Sequence, residues 1–146
     1  MDSSIKDVVA RIAYHADAHE WPELRNLFAQ TVHVDYTSLF GGTAIDISGD
    51  ELLASWRAFL PGFDATQHLL GPVLVESKDT ATIAKTHVRA THRLADDVWV
   101  VGGRWVIALA HESAAWRITA MTFELAYQEG NSDLPNQARE RATNVR

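Results

Sequence analysis

Apolar residues recur at helical spacing from the start of the chain. Ile5, Val8, Val9, Ile12, Ala13 and Ala16 predict a helix over 3–19, with Ser3 or Ser4 as its cap. Pro22, suited to a first helical turn, opens a second short helix through Leu24, Leu27 and Phe28. The period then changes. In "TVHVDYTSLF", Val32, Val34 and Tyr36 alternate with His33 and Asp35, as in a strand with one buried face, ended by Gly41-Gly42. "SGDELLASWRAFLPG" returns to helical spacing, with Ser48 or Asp50 near its start and Pro61-Gly62 at its end. Four long β runs follow, 66–76, 80–94, 97–111 and 115–127, separated by "SKD", "ADD" and "HESA" turns. Antiparallel strands of this length imply strong curvature, with Gly102-Gly103 as one place for the bend.

The order α-α-β-α-β-β-β-β predicts an α+β domain over 1–128. A strongly curved antiparallel sheet wraps as a cone around the N-terminal helices, with a pocket between its concave face and the first helix. Residues 129–146 are polar and read as a tail, either loose or a short helix, disordered or lying over the pocket.

Composition narrows the partners. At 146 residues, 47% apolar and 22% charged, the chain has ordinary globular composition. No apolar stretch approaches the ~20 residues a spanning helix needs, so no membrane association is expected. Charges run through the place where a signal peptide would have its apolar region, so a cytoplasmic protein is expected. A net charge of −6 without a Lys/Arg block argues against nucleic acid. The absence of cysteine excludes disulfides and thiol catalysis. A small apolar or aromatic molecule, neutral or weakly acidic, is the expected partner.

Candidate chemistry lies on the inner faces. In the run 80–94, Ala84, Thr86, Val88, Ala90 and His92 share one parity, whereas Lys85, His87, Arg89 and Arg93 share the other. His92 is therefore expected inside and His87 outside. On the first helix Asp17 continues the row Val9, Ala13, with Tyr14 three residues before it. Asp17 is either solvated near the helix end or paired with a histidine across the pocket. Tyr36 points inward, as core or as a site residue. His68, in "ATQHLLGP", shares parity with Thr66 and Leu70, a pattern that by itself favours packing over half of a catalytic pair. His15, His19, His33 and His111 are expected at the surface, and Trp56, Trp99, Trp105 and Trp116 in the core or pocket wall. No metal-binding spacing, phosphate loop or nucleophile elbow is present, so neither metal nor cofactor is expected.

Four segments together resemble the NTF2-like (SnoaL-like) superfamily over roughly residues 3–127, and within it the scytalone dehydratases. They are "ADAHEW" (16–21), "VDYTS" (34–38), "TQHLLG" (66–71) and "VRATHR" (88–93). The resemblance implies Asp17, His68 and His92 as catalytic acid–base residues and Tyr36 as a catalytic, carbonyl-orienting one. It also implies an Asp17–His92 pair that keeps His92 a proton carrier. Tyr14, Trp105, Phe40 and Phe123 are the expected substrate-binding residues. Ala16 stands where that family has a second tyrosine, which Tyr14 is expected to replace. The positions of its later polar residues fall near Gly103 and Trp105, so a different substrate is expected.

The implied activity is a cofactor-independent dehydratase acting on a cyclic or polyketide-like hydroxy-ketone. The alternatives are a polyketide cyclase or ketosteroid-type isomerase in the same pocket, or a non-catalytic binding module. Relatives commonly form dimers or trimers, so a homo-oligomer is expected, with an exposed sheet face carrying Trp99 or Trp105 as its contact.

Overall fold

The apolar stripe of the first helix is what the sheet wraps around. The computed structural model describes residues 2–144. Helix α1 (Asp2–Asp17) buries Ile5, Val9, Ile12, Ala13 and Ala16. It is already formed at Asp2, ahead of the expected serine cap. A short α2 (Trp21–Arg25) follows, with Pro22 in its first turn.

Strand β1 (Phe28–Asp35) stops earlier than its pattern predicts. The Asp35 carboxylate accepts hydrogen bonds from the backbone N–H of Thr37 at 3.0 Å and from its hydroxyl at 2.6 Å. These local contacts turn "TSLF" into the helical turn α3 (Thr37–Phe40) instead of more strand. Strand β2 (Ile45–Ser48), a four-residue edge without a buried face, was not expected from the pattern. Helix α4 (Gly49–Arg57) starts where Ser48 accepts from the Glu51 N–H, and a 3-10 turn (Leu60–Gly62) follows it.

The expected run 66–76 is two strands, β3 (Ala65–Leu70) and β4 (Leu74–Lys78), broken at Gly71-Pro72. Both pair antiparallel with β5 (Ala81–Leu94), β3 on its C-terminal half and β4 on its N-terminal half. Strands β6 (Asp97–Glu112) and β7 (Ala115–Gly130) complete a seven-stranded sheet of order β2-β1-β7-β6-β5-β3, with β4 beside β5. Among the described residues only the β1–β7 pair is parallel.

The β6–β7 register slips at Gly102/Gly103. A side chain on Gly103 would run into the Glu124 carbonyl and the Phe123 ring, so only glycine lets β7 approach here. The bend therefore sits where the sequence places it.

Helix α5 (Leu134–Asn144) packs on the 3-10 turn, with Leu134 and Ala138 in the common core. The described part of the polar tail is thus a docked helix. Residues 145–146 lie outside the described residues. Gly62 lies directly against the backbone of Ala138, and Arg141 joins Asp64 at 2.6 Å. No helix among the described residues is long and apolar enough to cross a membrane.

Candidate active site

Within the cone and at its opening lies about 660 Å³ of atom-free space, open solvent included. Its wall is made of Trp56, Trp99, Trp105, Phe40, Phe59 and Phe123, with further aliphatic side chains. The titratable side chains on that wall are Tyr36, His68 and His92. Asp17 stands behind His68, at the C-terminal end of α1.

Alternation in β3 decides the direction of His68. Thr66, His68 and Leu70 are partly buried while Ala65, Gln67 and Leu69 are exposed. The ring therefore faces inward and meets the end of α1. Asp17 Oδ1 lies 2.7 Å from His68 Nδ1, and its Oδ2 accepts the His68 backbone N–H at 2.7 Å. The Thr66 hydroxyl donates to Oδ1 at 2.9 Å. Burial pushes the Asp17 carboxyl up, yet the contacts with His68 and Thr66 outweigh it and hold the group below its ordinary value. A carboxylate at Nδ1 requires the proton on that nitrogen, so the neutral ring carries its lone pair on Nε2.

The expected Asp17–His92 pair is not what the structure contains. β5 does bury His92, as its parity predicts, but His92 Nδ1 donates to the Trp99 carbonyl at 3.0 Å. Its ring packs 4.4 Å from that of Trp99 and 4.8 Å from that of Phe63. Burial, reinforced by the neighbouring His68, pushes its pKa down to about 4. His92 is neutral at pH 7, with Nε2 as a hydrogen-bond acceptor. The two imidazoles stand edge to face, 5.9 Å apart between centroids. The pairing was illegible in sequence because the β3–α1 contact spans 51 residues of chain.

Tyr36 stacks at 5.6 Å on Phe123. Burial raises its phenol pKa far above the ordinary value, opposed in part by a hydrogen bond from Trp105. The indole N–H can only donate, so the Tyr36 O–H stays available to a ligand.

Phe40, Trp105 and Phe123 line the cavity with these groups. Tyr14 does not: it is 69% exposed and borders an outer groove with Asp17 and Leu69, so it does not stand in for the tyrosine replaced by Ala16. Its place three residues before Asp17 turns it off the buried stripe toward the outer side of β3. Trp99 and Trp105 are 2% and 4% exposed, which removes them as a self-association surface. His15 is also buried, held by Glu20 at 3.0 Å, contrary to its expected surface position. Thr66 and the Trp99 carbonyl were missed. Thr66 carried a signal in sharing parity with His68, whereas a backbone carbonyl leaves none. Among the described residues no three His, Asp or Glu side chains are grouped to hold a metal ion.

A SnoaL-like domain model matches residues 2–122. No curated protein matches the chain by sequence. Similar solved structures include the Kfla4162 protein from Kribbella flavida, at 26% identity and TM-score 0.84, over 94% of this chain and 96% of that one. A candidate scytalone dehydratase from Novosphingobium aromaticivorans DSM 12444 is 19% identical with TM-score 0.71, over 88% and 86% of the two chains. Hexachlorocyclohexane dehydrochlorinase LinA-type3 from Novosphingobium barchaimii LL02 is 10% identical with TM-score 0.71, over 89% of each.

Proposed function

The chain belongs to the SnoaL-like family of the NTF2-like fold, and on that premise we propose that it is a cofactor-independent dehydratase removing water from a cyclic or polyketide-like hydroxy-ketone. The fold alone does not choose among the dehydratases, cyclases and isomerases built on it. The observation that carries the choice is the Asp17–His68 pair at 2.7 Å opening onto an apolar cavity that holds a second, neutral imidazole. A binding module has no use for a desolvated carboxylate–imidazole pair.

His68 Nε2 takes the proton alpha to the substrate carbonyl, and the Asp17 carboxylate offsets the positive charge the ring acquires. The Tyr36 O–H donates to the carbonyl oxygen as it gains enolate character. The enolate collapses to a carbon–carbon double bond and the carbon–oxygen bond breaks. The His68 imidazolium returns its proton to the departing hydroxyl, which leaves as water. His92 Nε2 accepts a hydrogen bond from that hydroxyl and keeps it beside His68. An isomerase moving a proton between carbons has no departing group for His92 to hold, which favours elimination. Structural neighbours named as a dehydrochlorinase and a candidate scytalone dehydratase are consistent with this reading, although at 10% and 19% identity they carry only the fold.

The test is a panel of cyclic β-hydroxy-ketones followed by the ultraviolet absorbance of the conjugated enone. Turnover by the wild type that disappears in His68→Gln supports the reading. Equal rates in both proteins, or proton exchange at the alpha carbon without loss of water, would overturn it.

A further inference from the structure

Helix α5 sets a cation against two aromatic rings that line the cavity, just outside the lining itself. The Arg139 guanidinium lies 4.7 Å from the centroid of the Phe59 ring and 5.1 Å from that of Phe40. Both rings line the cavity, yet they come from separate elements, Phe40 from α3 and Phe59 from the segment after α4. Phe40 is itself half exposed, so Arg139 bridges the two rings at the solvent-facing side of the wall.

Arg139 has no carboxylate partner among the described residues; its side-chain acceptor is Asn136 Oδ1 at 3.5 Å. Two residues on, Arg141 is held by Asp64 at 2.6 Å. A guanidinium lying on aromatic faces keeps its in-plane N–H edges free, and those edges fit a carboxylate bidentately. The Arg139 side chain is exposed, packing beside the rings lowers its pKa, and the guanidinium stays charged near neutral pH. The lining itself carries no fixed charge, its titratable side chains being a phenol and two imidazoles, so Arg139 beside Phe40 and Phe59 is the cation next to it.

We propose that Arg139 is the anion-recognition group of this cavity, and that the ligand is an aromatic or alicyclic molecule bearing a carboxylate. The ring enters the aromatic chamber while the carboxylate stays at the mouth on Arg139. The inference deepens the dehydratase reading by naming the charge of its substrate, and it rests on the cavity being the ligand site.

Two probes of matched shape test it, 2-naphthoate and the neutral 2-naphthamide, with affinity read from quenching of the cavity tryptophans. Wild type should favour naphthoate by roughly tenfold, and the preference should shrink with added salt. Arg139→Met should bring the two affinities within about twofold without weakening naphthamide, and Arg139→Lys should restore part of the preference. Equal affinities in wild type overturn the inference alone, leaving elimination to the enone assay. A parallel weakening of both probes in Arg139→Met also overturns it, because Arg139 then only fastens α5. If neither probe binds, the inference falls together with the cavity as a ligand site.

Discussion

Asp17 grips His68 at two points, ring and backbone, each at 2.7 Å. The double contact fixes both the tautomer of the imidazole and its position on β3. An Asp17→Asn amide still fills the space, but its NH₂ can meet Nδ1 only if the ring's proton moves to Nε2. We expect Asp17→Asn to reduce elimination by at least about 100-fold. Nitrogen NMR of the His68 ring should show the proton displaced from Nδ1. An unchanged rate would remove Asp17 from the mechanism.

His92 makes the fold sensitive to mild acid. Its folded pKa is depressed, from 6.5 to about 4. Above pH 6.5 the ring is neutral whether folded or unfolded, and it contributes no pH dependence. Between those values the unfolded chain binds a proton that the folded chain refuses, so stability falls as pH falls, by about 3 kcal/mol in all. Asp17 and Asp64, held below the ordinary carboxylate value, lose their contribution only lower still. Urea melts at pH 7.5 and pH 4.5 should show a smaller loss in His92→Gln than in wild type. Parallel losses would contradict a buried neutral His92.

Tyr36 is expected to act on rate more than on binding. Tyr36→Phe keeps the stack on Phe123 and removes the O–H that the proposed mechanism gives to the substrate carbonyl. The expected result is a fall in kcat of about 100-fold with KM changed little. A fall confined to KM would make Tyr36 a packing residue.

Gly103→Ala tests the bend. The new methyl meets the Glu124 carbonyl and the Phe123 ring, one of which is main chain and cannot rotate away. Destabilisation of about 1–3 kcal/mol is expected from urea melts. Because Phe123 lines the cavity, affinity for 2-naphthamide should drop as well.

Sequence pattern was strongest where an element is long and buried on one side. The alternation in β5 separates Val88, Ala90 and His92 from His87, Arg89 and Arg93 as the structure does. It was weakest where a local side chain overrides the period, as Asp35 does in ending β1. Tyr14 and His15 show a related limit. A helix position tells which residues share a stripe, but not which neighbouring element covers the rest of the surface. The choice of His68 over His92 as the partner of Asp17 is a fact of tertiary register. Resemblance offered Asp17, His68, His92 and Tyr36 as candidates but paired Asp17 with the other imidazole.

The contact between Asp17 and the His68 backbone also concerns strand β3 as the end of a sheet. β3 is the last strand in the order, and its outward N–H groups would otherwise offer a template to another chain. By taking one of those N–H groups, the carboxylate caps the sheet against further growth. The residue that meets the imidazole thus also covers part of a sheet edge, where unpaired N–H groups invite another strand.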